Sequence, residues 1–174
     1  MKTKSLLLIV WLLAIITCAA QNNELSNCNN SELVTFEHPE LLTSIAIPAK
    51  WETVIDKEDV QSLNFTTIDT TSSLFRAFSF SQESTDLDEY KNLRVIFLTQ
   101  KEFGKILNSG DLTVGERTFQ FILVFEDFDT PMTNLMVIKQ VNNILMIGSC
   151  RIDGRTSDLK DFCDFWPIIN SIGN

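Results

Sequence analysis

The pattern of apolar and polar positions changes character several times along the chain, and each change predicts an element. Leu6 to Ile16 is an unbroken apolar run. Residues 33–36 and 42–48 are short and β-prone, the second alternating through Ile45 and Ile47. It stops at Pro48, which has no N–H to give a ladder. Trp51, Val54 and Ile55 continue in extended style up to a charged stretch over 56–59. Two more strands are expected over 65–68 and 74–80. In the latter, Leu74, Phe75, Ala77, Phe78 and Phe80 leave so little polar alternation that both faces should be covered.

The period then lengthens. Thr85-Asp86-Leu87-Asp88-Glu89 supplies a cap and acids that complement the positive end of a helix. Leu87, Tyr90, Leu93 or Arg94, Phe97 and Leu98 make one apolar stripe. Gly104 and Asn108-Ser109-Gly110 predict the end of this helix and a turn. From Leu112 the period is two again. Val114-Gly115-Glu116 predicts a tight turn, and Arg117 to Phe125 a strand apolar on both sides, with Phe119, Phe121, Leu123 and Phe125 on one. A connection over 127–134, a strand over 135–141, the turn Asn142-Asn143 and a strand over 144–150 complete a meander. Ser157 should cap a last helix carrying Leu159, Phe162, Cys163, Trp166 and Ile169, which Pro167 kinks or restarts. The layout is α+β: an antiparallel β-sheet covered by helices, an α/β/α sandwich in one domain over 33–174.

The apolar run at the start is not part of that domain. Lys2 and Lys4 precede it, and Thr17-Cys18-Ala19-Ala20 and a polar stretch follow, the three parts of a secretory signal over residues 1–20. Eleven residues at about 1.5 Å each cover roughly 16 Å, half a bilayer core. Export is therefore expected. Ile15-Ile16-Thr17-Cys18 reads as a bacterial lipobox that would acylate Cys18, although Thr17 stands where a smaller residue is usual. Cleavage after Ala19 or Ala20 is the other reading. Residues 21–32, rich in Asn and Ser with little to bury, predict a flexible tether.

Charge narrows the partners. The chain holds 14 basic residues, two of them Lys2 and Lys4, against 23 acidic ones. Its net charge of −9 thus becomes −11 when the leader is removed. Such a surface repels phosphate backbones and anionic headgroups, so nucleic acid is not expected as a partner. Attachment to a membrane is expected through an acyl chain instead.

Four cysteines occur. Cys150 and Cys163 flank a strand-to-helix return and form either a disulfide or two buried thiols. Cys28, in the tether, is expected to be free. There is no C-x-x-C, no G-x-S-x-G and no phosphate loop. His38, beside Glu37 and Glu40, lacks the spacing of a zinc site and reads as a surface residue. No catalytic, cofactor or metal site is assigned. The densest oxygen cluster, Glu126, Asp127 and Asp129, is a weak cation candidate that departs from the calcium loop pattern. Trp51 and Trp166 read as core.

Several residues together resemble the PsbP/Mog1-like fold: Ile45-Ala46-Ile47-Pro48-Ala49-Lys50-Trp51, the acid-started helix from Asp86, Val114-Gly115-Glu116 before a long strand, the Asn142-Asn143 turn, and the terminal Ile168-Ile169-Asn170-Ser171-Ile172. That resemblance, to the branch of bacterial envelope lipoproteins, implies an antiparallel sheet between helices and a role in binding proteins rather than catalysis. The expectation is an exported, lipid-anchored, non-enzymatic module that binds or assembles a protein partner of the bacterial cell envelope. A periplasmic or surface binder of a small ligand or cation is the alternative.

Overall fold

The two segments whose apolar residues predict cover on both faces are interior strands of one large sheet. A computed structural model describes residues 32–37, 41, 43–56, 64–100, 104–127 and 129–173. The leader with Cys18, the tether up to residue 31 with Cys28, and His38, Glu40 and Leu42 lie outside the described residues. In chain order the elements are β1 (Leu33–Phe36), β2 (Ile45–Pro48), β3 (Trp51–Asp56), β4 (Asn64–Asp69) and β5 (Arg76–Glu83). Helix α1 (Leu87–Gln100), β6 (Gly104–Val114), β7 (Arg117–Glu126), β8 (Met132–Val141) and β9 (Ile144–Asp153) follow. A 3-10 helix (Leu159–Phe165) and α2 (Trp166–Ser171) end the chain.

Seven strands form one antiparallel sheet in the order β3-β4-β5-β9-β8-β7-β6, while β1 and β2 pair separately. Strand β6 lies four places from β5, about 19 Å at ordinary strand spacing. The 14-residue helix α1 is about 21 Å long and bridges that gap over one face. Asp86 starts it, its carboxylate accepting from the amides of Asp88 at 2.9 Å and Glu89 at 3.2 Å. Leu87 and Tyr90 settle on Ile122, Val124, Met136, Ile138, Leu145 and Ile147. Burial pushes the Tyr90 phenol up to about 12, Glu83 adding to the rise and Arg94 opposing it.

The opposite face carries the larger core. Phe119, Phe121 and Leu123 from β7 join Phe78, Phe80 and Val137, and β2, the 3-10 helix and α2 cover them with Ile45, Ile47, Phe162, Phe165, Ile168 and Ile169. Aromatic rings fill much of it, Phe65 lying 4.6 Å from Phe36 and 5.7 Å from Phe80. The α+β class holds, but the helical cover is light. One face has α1 and the other has a two-stranded sheet with two short helical pieces, so the α/β/α sandwich is only half drawn.

Other expectations shift by a few residues. Leu74 and Phe75 precede β5 and are exposed. Asn108-Ser109-Gly110 runs inside β6, because a bulge between Ile106 and Asn108 absorbs the irregularity within the ladder. Thr133 and Asn134 are buried in β8 rather than in a connection. Asp158, not Ser157, caps the last helical segment by accepting from the Lys160 amide at 2.9 Å. In α1, Leu93 faces solvent and Arg94 takes its place on the stripe. The turns at Gly115-Glu116 and Asn142-Asn143 are where the pattern put them, with Gly115 at φ 61° and Asn142 at φ 56°. Pro167 restarts the terminal helix, standing in the first turn of α2, where its missing N–H costs nothing.

The Cys150–Cys163 disulfide does not form. Cys150 points from β9 into the larger core as a free, wholly buried thiol, which burial pushes well above its usual value. Cys163 is disulfide-bonded elsewhere.

Candidate functional site

Where the covering pieces meet the sheet, near the β3–β4–β5 end, two clefts lie side by side. The first, about 490 Å³, is lined by Lys50 and Trp51 after β2, by Asp69, Thr71 and Ser72 after β4, and by Glu32. The second, about 460 Å³, is lined by Leu74 and Phe75, by segment 152–156, and by Lys160, Asp161 and Cys163 of the 3-10 helix. Arg76 and Asp164 line both and form an ion pair, so that one pair of side chains is the partition between them. Each is about one third exposed, and the pair contributes on the order of 1 kcal/mol or less to stability. Its weight lies in positioning.

The rim between the clefts is built rather than loose. The Asp69 carboxylate accepts from the Thr71 amide at 2.9 Å and its hydroxyl at 2.7 Å. Partial burial pushes that carboxyl up, but the Thr71 bonds, Arg76 and Ser72 outweigh it and hold Asp69 below its usual value. The Ser72 hydroxyl accepts from the Leu74 amide at 3.1 Å. Asp153, at the end of β9, takes the Phe75 amide on its carboxylate at 2.7 Å and donates its own amide to the Phe75 carbonyl at 3.3 Å. The loop so held presents Leu74 at 56% and Phe75 at 38% exposure.

The far wall is fastened in the same way. Thr133, buried in β8, donates to the Gly154 carbonyl at 2.7 Å and accepts from the Thr156 amide at 3.1 Å. Asp161 accepts from the Thr156 hydroxyl, and the Arg155 guanidinium lies 5.2 Å above the Phe125 ring. The carboxylates of Asp153, Asp161 and Asp164 are thus each engaged within the protein.

The residues singled out in the sequence lie elsewhere. Glu126 is half-buried at the end of β7 and accepts from Asn134 at 3.3 Å, while Asp127 and Asp129 are exposed. Among the described residues no three acidic, histidine or cysteine side chains group to hold a metal ion, so the suggested cation cluster does not converge. Trp166 is core, as expected, and Trp51 is only partly so: it meets Phe165 edge-on at 5.4 Å and also lines the first cleft. Sequence reasoning missed the clefts because their walls come from five separate segments of the chain. The one available signal was Asp69-Thr70-Thr71-Ser72 directly before Leu74-Phe75, a turn chemistry that withdraws those apolar residues from the strand.

No protein-family model matches the sequence, and no curated protein is similar to it in sequence. Among solved structures, the chain is similar to cyanobacterial PsbP (CyanoP) from Synechocystis sp. PCC 6803, with TM-score 0.56 and 10% identity over 84% of this chain and 94% of that one. A structure from Bacteroides thetaiotaomicron VPI-5482 has TM-score 0.48 and 16% identity over 79% of this chain and 46% of that one. A protein of unknown function from Pseudomonas aeruginosa has TM-score 0.47 and 12% identity over 82% and 96%. At these identities the likeness speaks for architecture, and the architecture is a PsbP-like fold.

Proposed function

We propose that this is an exported, lipid-anchored, non-enzymatic module of the bacterial cell envelope that docks a protein partner on the rim between its two clefts. One observation carries the docking part. Leu74 and Phe75 stand exposed on a loop whose backbone is hydrogen-bonded at Asp69, Ser72 and Asp153. A large apolar pair already ordered in solvent loses little entropy on binding, which is the condition for an interface anchor. The polar and charged lining on either side supplies a rim that excludes water around it. The leader and Cys18 support the export and anchoring parts, as does the bonded state of Cys163, since disulfides persist in oxidising compartments. No helix among the described residues is long and apolar enough to cross a membrane.

A small-ligand reading is favoured by one feature, the first cleft, where Lys50 and Trp51 line an open, mostly polar hollow of about 490 Å³. The two readings separate in one experiment. The full-length protein is recovered from detergent extracts of the envelope, alongside a Leu74→Asp/Phe75→Asp variant. The expected result is a specific co-purifying protein that the variant loses at least tenfold, with an unchanged thermal midpoint. Retention of the same partner by the variant would remove the docking face.

Anchoring has its own test. Cys18→Ala should move the protein from the membrane pellet to the soluble fraction, because no second membrane signal is visible in the described domain. A Cys18→Ala protein that still sediments with membranes overturns the acyl anchor.

A further inference from the structure

We propose that the open edge of β3 takes up an extended segment of the protein partner as a further strand of the sheet, a segment in which apolar residues alternate with basic ones. Such docking rests on the protein-binding reading and adds this edge to the rim. Strand β3 ends the seven-stranded sheet, with no described strand beyond it. Two backbone bonds fix which of its groups are free. Asp153 donates its amide to the Phe75 carbonyl and Gly154 donates its own to Pro131, so odd positions of β9 bond to β5 and even ones to β8. Carried through the registers, Phe78 and Phe80 bond to Thr67 and Phe65 of β4, while Thr66 and Ile68 bond to Val54 and Glu52 of β3. The N–H and C=O groups of Trp51, Thr53 and Ile55 therefore point away from β4, with no described strand to take them.

Bulges, prolines and short length blunt natural edges, and the other edges here are blunted or filled. Strand β6 carries a bulge between Ile106 and Asn108, and β1 is four residues long. The free side of β2 is taken at Ala46 by the Ser171 hydroxyl. Strand β3 has six residues, no proline and an unbroken register with β4.

Its side chains define the occupant. Trp51 and Ile55 pack against the larger core, so residues set opposite the odd positions continue that core and are apolar. Glu52 and Val54 stand exposed on the other face, where a basic residue opposite Glu52 makes a cross-strand pair. The net charge of −9 favours a basic segment and sets a second copy of this chain against itself. At the Trp51 end the added strand reaches the first cleft, so edge and rim can serve one partner.

The test titrates full-length protein in detergent with a blocked Val-Lys-Val-Lys-Val peptide and follows amide hydrogen exchange residue by residue. The Thr53 and Ile55 amides should gain about tenfold protection, while those of Glu52 and Val54, already bonded to β4, should not change. A Val-Glu-Val-Glu-Val peptide should protect neither. Thr53→Pro removes one outward N–H at a position where an edge tolerates proline, and should abolish the protection. Glu52→Lys changes only an exposed side chain, and should weaken binding of the Lys peptide about threefold. The Leu74→Asp/Phe75→Asp variant should bind the peptide as the parent does; an envelope partner retained there removes the rim alone and leaves the edge standing. Binding without protection at Thr53 and Ile55, no binding at millimolar peptide, or equal binding of the Glu peptide overturns the proposal. So does alternating protection along β3 in the peptide-free chain that fades on dilution, which gives the edge to a second copy.

Discussion

Replacing Gly148 by valine is expected to lower stability by about 3 kcal/mol and the thermal midpoint by roughly 10 °C. Gly148 sits in the middle of β9, paired with Phe80 on one side and Val137 on the other. Its backbone is ordinary for a strand, so space is the whole argument. A Cβ there would lie 2.9 Å from Val137 Cγ2, 3.0 Å from Phe78 Cε2 and 3.1 Å from Ile172 Cδ1. Three side chains, from β5, β8 and the residue that ends α2, converge on the bare Cα. Alanine already requires each neighbour to give way, and the two γ-methyls of valine have nowhere to go in a packed interior. Thermal denaturation of Gly148→Ala, Gly148→Val and the Gly148→Ala/Val137→Ala pair measures this. Relief of the alanine penalty in the double variant, a coupling of about 1 kcal/mol, marks a true steric origin. A Gly148→Val protein that melts within 2 °C of the parent (roughly 0.5 kcal/mol) would mean that α2 does not pack on β9 as described.

What could be seen in the sequence follows from how local the cause is. The turns at Gly115 and Asn142, the acid-capped start of α1 and the two apolar faces of β7 each depend on residues within one element, and each was legible. So was the restart at Pro167, because the ring's steric demand is local. The bulge in β6 was not, since a strand can hold Asn108-Ser109-Gly110 only when a neighbouring ladder holds it in place. Leu74 and Phe75 were misplaced into a strand because hydrophobicity was the only visible force on them. The hydrogen bonds between Phe75 and Asp153, seventy-eight positions away, that hold the segment before β5 are nonlocal. The candidate site inherits this blindness. Arg76 and Asp164 meet only because the 3-10 helix returns across the sheet, and nothing in either neighbourhood announces the pair. The state of the cysteines, left open between a disulfide and buried thiols, was hidden for the opposite reason. Cys150 and Cys163 are near in sequence, but β alternation turns the first into the core while the second lies beside a cleft.

Ser171→Ala should cost about 2 kcal/mol, a large effect for the loss of one oxygen atom. The Ser171 hydroxyl donates to the Ile168 carbonyl at 2.6 Å and accepts from the Ala46 amide at 2.8 Å. Ala46 pairs across β1 with Thr35, and β2 has no strand on its other side, so this amide has turned to a helix for its acceptor. One buried hydroxyl thereby joins the two-stranded sheet to α2, and both cover the larger core. Removing it leaves the half-buried Ala46 amide and the end of α2 without the hydroxyl they share, and an unmet bond costs more than the bond itself returned. The same attachment sets the position of β2, and the chain leaving β2 at Pro48 carries Lys50 and Trp51 into the first cleft. Hydrogen exchange distinguishes this from a general loosening. In Ser171→Ala the Ala46 amide should lose at least tenfold more protection than amides of β7 and β8, which the global melt controls. Equal loss everywhere would reduce Ser171 to one more buried contact, and unchanged protection at Ala46 would show that the hydroxyl is not its acceptor.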